Sequence, residues 1–223
     1  MAKNRNIEKP LELNEKQRQI MAKALEVFSE KGFDSASVRD IAQRAEVNVA
    51  MISYYFGSKE KLLEMIFQNH IGFMRETISN IVYSNTLDSI GKLELIIDTY
   101  VDMIKENQAF HRLMTREQVL LEGGAVYNQI RSMKTKNRQI INIAIRAGQK
   151  GGIFQKNIDV DLMAVTFFGT VNYFFSNYKY LKQDNQQLNG PCGLSEVNNE
   201  ALANKLKQHL KVMFKAYLTY GLS

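Results

Sequence analysis

Between Ser37 and Phe56 the segment SVRDIAQRAEVNVAMISYYF has residue types and spacing suited to reading a nucleic-acid duplex. The spacing is that of a helix-turn-helix, which needs a small residue where two helices touch, apolar residues to lock their crossing, and an exposed second helix. Ala42 supplies the small contact, and Ile41, Ala45, Val47, Ile52 and Tyr55 supply the lock. The outward positions of the second helix are Val49, Ala50, Met51, Ser53 and Tyr54, small or aromatic rather than charged. A major groove about 12 Å wide admits a helix, and small residues let its backbone approach the base edges. Val49, Ala50 and Met51 suit thymine methyl groups, whereas Asn48, Ser53 and Tyr54 can donate or accept at base edges or phosphates. Arg39, near the start of the first helix, can reach guanine O6 and N7 or a phosphate.

Catalytic chemistry finds no comparable footing. The three histidines are His70, His111 and His209, and the residues three before them are Phe67, Gln108 and Leu206, so no Glu-x-x-His pair of a di-iron bundle exists. HExxH, paired cysteines, GxSxG and a phosphate loop ending in Gly-Lys-Ser/Thr are all missing. Gly148-Gln-Lys-Gly151-Gly152 follows a helical pattern with no strand before it and reads as a helix terminus. Asp159 and Asp161 read as a helix start. Cys192 has no basic neighbour to lower its pKa and no second cysteine to bridge to. The expectation is a binding protein, not an enzyme, with no cofactor and no metal.

The elements that position these residues are helical. The chain has 223 residues and only two prolines, Pro10 and Pro191, so long helices can run uninterrupted between them. Residues 1–12, with Lys3, Arg5 and Lys9, read as a loose basic arm. Ile20, Ala24, Val27 and Phe28 then form one apolar stripe, capped by Asn14 and ended by Gly32. Ser37 and Asp40 form a capping box, Asn48 caps again, and Gly57-Ser58 stops one helix and starts the next. Beyond His70 the helices lengthen, over Leu93–Lys105, Phe110–Leu121, Val126–Ala147, Val160–Leu181 and Glu200–Tyr220. Breaks fall at Ser84–Gly91, Gly123-Gly124, Gly151-Gly152 and the polar stretch Lys182–Asn199. The expected fold is all-α, with a helix-turn-helix domain over 13–73 and a helical body over 74–223. The most apolar run, Leu162–Phe175, is too short for a bilayer, which takes roughly 20 residues. With no signal-like N-terminus and a net charge of +6, a cytoplasmic protein with a polyanionic partner and no membrane is expected.

The block from Gln17 to Phe67 resembles the DNA-binding domain of TetR/AcrR-type transcriptional repressors. The likeness rests on AxxxFxxxGF at Ala24–Phe33, SVRDIAQRAEV at 37–47 and ISYYFGSKEKLL at 52–63, the last being the most specific. It implies a homodimer, an effector-binding helical domain, and release of operator DNA when a small ligand binds. It also implies that Ser37 binds a backbone phosphate, that Lys59 anchors a phosphate, and that Tyr55 joins it on the same backbone. Two positions depart from the family pattern. Glu46 stands where the turn usually has glycine, at about 1 kcal/mol if the backbone is left-handed, which points to an altered turn. Gly57 stands where proline is frequent.

Effector contacts are expected from Tyr100, Met103, Ile104, Phe110, Met114, Phe167, Val171 and Phe174, with His111, Thr115, Gln118 and Asn172 as orienting polar groups. The apolar balance points to a hydrophobic small-molecule effector. Val160–Leu181 and Glu200–Tyr220, apolar on more sides than one chain's core needs, are the expected homodimer helices. A two-fold pair then presents two recognition helices to a palindromic operator of double-stranded DNA. The alternative reading is a helical protein-interaction adaptor whose 37–56 segment is only packing.

Overall fold

A computed structural model describes residues 12–120, 125–187 and 199–220, with side chains described throughout except at 118–120, 125, 178–187 and 199. The basic arm up to residue 11, the Gly123-Gly124 break, Cys192 and the Gln118 side chain lie outside the described residues. The described residues are helical, with no strand among them: α1 Glu15–Lys31, α2 Val38–Arg44, α3 Val49–Phe56, α4 Lys59–Tyr83, α5 Ser89–Glu106, α6 Gln108–Leu120, α7 Ala125–Lys150, α8 Val160–Gln187 and α9 Asn199–Thr219.

Two differences from the sequence pattern have simple causes. The α4 helix runs straight through residue 73, where the first domain was expected to end, because it holds no proline and its one glycine, Gly72, stays helical and does not act as a stop. The α8 helix continues to Gln187 instead of giving way to a loop at Lys182. Lysine and glutamine are polar yet good helix formers, so polarity alone does not stop a helix.

The described residues fall into two compact units, one up to Thr77 together with Asn107–Thr135, the other Ile78–Glu106 together with the residues from Lys136 on. The first is built on one apolar core. Ile20, Ala24 and Phe28 of α1, Ile41 and Ala42 of α2, Ile52 of α3 and Leu62, Ile66 and Phe67 of α4 are buried there. Phe110, Leu113 and Met114 of α6 and Ile130 of α7 belong to the same core. This is why 107–135, which the pattern grouped with the C-terminal body, sides with the N-terminal helices.

The second unit is held differently. Tyr100, Phe167, Phe168 and Phe214 make edge and tilted ring contacts at 5.2–5.8 Å between centroids. Antiparallel to α5, α9 is tied to it by Asp98–Lys211 at 2.6 Å, Asp102–Lys207 at 2.7 Å and Lys105–Glu200 at 2.6 Å. The glycine run ends α7 as a helix terminus: Ile153 and Phe154 donate to Gly148 O, and the Phe154 ring lies where a Cβ on Gly148 would sit, 2.1 Å away. Asp159 Oδ1 accepts from the backbone of Asp161 and Leu162 at the start of α8.

Candidate nucleic-acid interface

The start of α2 is closed by the capping box that Ser37 and Asp40 suggest. Ser37 Oγ accepts from Asp40 N at 3.1 Å, and Asp40 Oδ2 accepts from Ser37 N at 2.9 Å. Asp40 Oδ1 also accepts from Lys31 Nζ at 2.7 Å, and with Ser37 this holds its carboxyl far below the usual carboxylate range. The amide and hydroxyl of Ser37, the groups its resemblance assigns to a phosphate, are therefore both turned to Asp40. Ser37 itself is exposed, as is Arg39, which makes no ion pair among the described residues.

The turn between α2 and α3 is a tight left-handed one. Ala45 caps the helix, Val47 N donates to Ala42 O at 3.0 Å, and Glu46 N donates to Gln43 O at 3.2 Å. This is a Schellman arrangement with Glu46 in the position that favours glycine, at φ 54°. The altered turn expected from the missing glycine is not what forms. The buried Ala42 and Ala45 and the half-buried Val47 fix the crossing, and Glu46 accepts the strained conformation. Asn48 then starts α3, its Oδ1 accepting from Ala50 N at 2.9 Å.

Helix α3 divides cleanly into two faces. Ile52 and Phe56 are buried, and Met51 and Tyr55 are half-buried. Asn48, Val49, Ala50, Ser53 and Tyr54 are exposed, Tyr54 at 83% with its ring edge-on to Tyr55. At about 100° per residue, Val49, Ala50, Ser53 and Tyr54 span an arc of roughly 140°. No residue of α3 is charged. Gly57 ends the helix at φ 78°, which no proline can adopt.

Lys59, the expected phosphate anchor, turns inward. Its Nζ donates to Phe33 O at 2.9 Å and Ala36 O at 3.0 Å, and sits 4.3 Å from the Phe33 ring centre. Two of its three protons thus clamp the α1–α2 connection, leaving one for a phosphate.

The same connection is gripped by residues that sequence reasoning missed. Gly32, at φ 83° and ψ 163°, has the Arg116 guanidinium of α6 2.3 Å from where a Cβ would be. Glu117 of α6 is buried, its carboxyl pushed up by burial while the Phe33 backbone N–H donates to it. The signal was present: Phe110, Leu113, Met114 and Glu117 follow apolar helical spacing, so an acid occupied a core position.

The expected effector residues separate. Tyr100 and Phe167 touch at 5.2 Å in the second unit, where Met103 and Val171 are buried and Asn172 is half-buried. Burial pushes the Tyr100 phenol up. Phe110, His111 and Met114 are buried in the first unit, where Phe110 packs edge-on to Phe67 and lies flat against His70 at 4.4 Å. Burial holds the His70 imidazole down to about 4. Among the described residues no group of three or more His, Cys, Asp or Glu could hold a metal, and no helix is long and apolar enough to cross a membrane.

Residues 20–66 match the family of bacterial regulatory proteins designated tetR, and residues 86–179 match the tetracyclin repressor-like C-terminal domain. A probable HTH-type transcriptional regulator of Bacillus subtilis, YttP, is 31% identical over 138 residues, 59% of this chain and 63% of that protein, so the chain matches somewhat under two thirds of its length. The ketosteroid transcriptional regulator KstR2 of Mycobacterium tuberculosis has the same fold, with a TM-score of 0.72 at 18% identity over 94% of this chain and 98% of that one. So does FadR of B. subtilis in complex with stearoyl-CoA, with a TM-score of 0.65 at 21% identity over 86% of this chain and 96% of that one.

Proposed function

This chain belongs to the tetR family of bacterial regulatory proteins, and from that premise we propose a ligand-responsive transcriptional repressor that binds a palindromic operator as a homodimer. The observation that carries the reading is α3 itself: an uncharged helix, exposed over roughly 140°, fixed at both ends by a left-handed turn. A protein-interaction adaptor whose 37–56 segment served only for packing would have this face covered.

DNA contacts are assigned to Arg39 on α2, to Asn48, Val49, Ala50, Ser53 and Tyr54 at base edges or flanking phosphates, and to Met51 and Tyr55 at the rim. Ser37 lies beside a phosphate through the helix N-terminus it caps, where the dipole favours an anion. Lys59 has one proton for the same backbone.

Dimerisation is assigned to α8 and α9. Leu162, Val165 and Tyr173 are 61–67% exposed and recur at i, i+3 and i+11 on one side of α8. Gly169, within that stripe, has nothing within 4 Å of its Cβ position, so a partner helix can approach closely there. On α9, Val212 is 69% exposed, and Tyr220 just beyond it 79%. Two copies joined on this surface hold two α3 helices about 34–36 Å apart, one turn of DNA.

The effector is a hydrophobic small molecule received among Tyr100, Met103, Phe167, Val171 and Asn172, a reading supported by the ketosteroid and acyl-CoA associations of the two structural relatives. Release of DNA by a hundredfold requires the effector to favour the non-binding state by about 3 kcal/mol. The test is binding to double-stranded DNA from upstream of its own gene. The wild type binds with a steep salt dependence, while Tyr54→Ala weakens binding and leaves the dimeric mass unchanged. Equal affinity for that DNA and for scrambled duplex would overturn the reading.

A further inference from the structure

On the basis of that function, we infer that the operator half-site facing α3 is thymine-rich and is read through C5-methyl groups by Val49 and Ala50, not through guanine by a basic fork. The base edges differ in what they ask of a protein. Guanine presents two acceptors, N7 and O6, and is met by arginine or lysine; adenine is met by a bidentate asparagine or glutamine; thymine alone adds a methyl group.

The first turn of α3, which enters the groove first in a helix-turn-helix, offers Val49 and Ala50, both exposed and both aliphatic. No arginine, lysine, glutamine or carboxylate follows them in the helix. Asn48 lies before the first turn as the helix cap, its Oδ1 turned back to accept from Ala50 N at 2.9 Å. The cations nearby are engaged elsewhere: Lys59 on Phe33 O and Ala36 O, Lys31 on Asp40, and Arg44 on Glu30 at 2.9 Å. Arg39 remains, on α2 and outside the α3 arc. Ser53 and Tyr54, one turn further along, carry hydroxyls that accept or donate to any base. What α3 presents to discriminate bases is therefore an aliphatic surface, and its match in the groove is a methyl group.

The test uses the full chain and duplexes selected in vitro from a random pool. Selected half-sites should share thymines at fixed positions. Replacing each by deoxyuridine, which removes only the methyl, should weaken binding roughly fourfold per buried methyl. Placing 5-methylcytosine instead of cytosine there should recover part of the loss. Val49→Ala should abolish the deoxyuridine effect at one thymine and leave it at the others. Unchanged affinity after deoxyuridine replacement at every thymine would overturn the inference while leaving DNA binding intact. So would half-sites whose binding by the Arg39→Ala variant is abolished by 7-deazaguanine. Selection of no preferred duplex at all would instead overturn the regulator reading, and this inference with it.

Discussion

The two units expose apolar side chains in different ways, and the difference separates a surface for DNA from a surface for protein. In the first unit the large apolar side chains left exposed are Val49, Tyr54 and Phe73, two of them on α3, where Asn48 and Ser53 are interspersed. In the second the most exposed, Leu162, Val165 and Tyr173, line one side of a single helix, joined by Val212 and Tyr220, while Tyr83, Leu87, Leu95, Ile143 and Tyr217 are less exposed, at 37–46%. A mixed arc suits a groove of alternating polar edges and methyls. A continuous stripe suits a matching stripe and little else. The internal supports differ correspondingly. The first unit rests on an apolar core and on clamps at the α1–α2 connection, the second on ring contacts and a row of ion pairs between α5 and α9. By helical spacing the α9 members of that row, Glu200, Lys207 and Lys211, lie roughly 100–140° around the helix from Val212, so the ion pairs do not use the Val212 position itself.

The sharpest way to break this contrast is to charge the stripe. Val165→Glu combined with Val212→Glu should give a folded monomer in light scattering and lower operator affinity more than a hundredfold, since both positions are exposed in the single chain. Retained dimers would show that the stripe has another use.

The clamps of the first unit can be broken at Gly32. Gly32→Ala should destabilise that unit by about 2 kcal/mol in chemical denaturation, because φ 83° with ψ 163° is accessible almost to glycine alone. Adding Arg116→Ala should recover little, as the backbone rather than the guanidinium tip sets the loss.

His70 tests the same core by pH. Its folded-state pKa, about 4, lies below the ordinary 6.5, so the unfolded chain takes up the proton first and stability falls as pH drops from about 6.5 towards 4. Between pH 7 and 5 this group should remove about 1–2 kcal/mol, and His70→Phe should remove that part of the pH dependence in thermal melts. The smallest effect belongs to the turn. Glu46→Gly relieves a left-handed residue but frees the unfolded chain, for a net gain of about 0.5 kcal/mol with DNA binding preserved.

Much of the recognition unit was legible because its signals are local. Caps at Asn14, Ser37 and Asn48 act within three residues, and each formed as its spacing indicates. The family likeness of 37–63 added the direction in which α3 points. The inward turn of Lys59 was not legible, because its partners are backbone carbonyls 26 and 23 residues away, and no side-chain pattern announces a carbonyl. Nor was the allegiance of α6. Phe110, His111 and Met114 have the composition of a ligand pocket and the same apolar spacing as Tyr100 and Phe167, yet they pack in the other unit.

By itself, then, the sequence determined that the chain is helical, where its short helices start and stop, and which face of α3 is apolar. These follow from backbone capping and from a repeat of 3.6 residues, both of which act within a turn or two. The tertiary structure alone decided that Glu46 sits left-handed without redrawing the turn, that Lys59 and Glu117 hold the α1–α2 connection, and which apolar stripes are buried. Burial depends on partners distant along the chain, and an apolar stripe looks the same in sequence whether its own chain covers it or leaves it open.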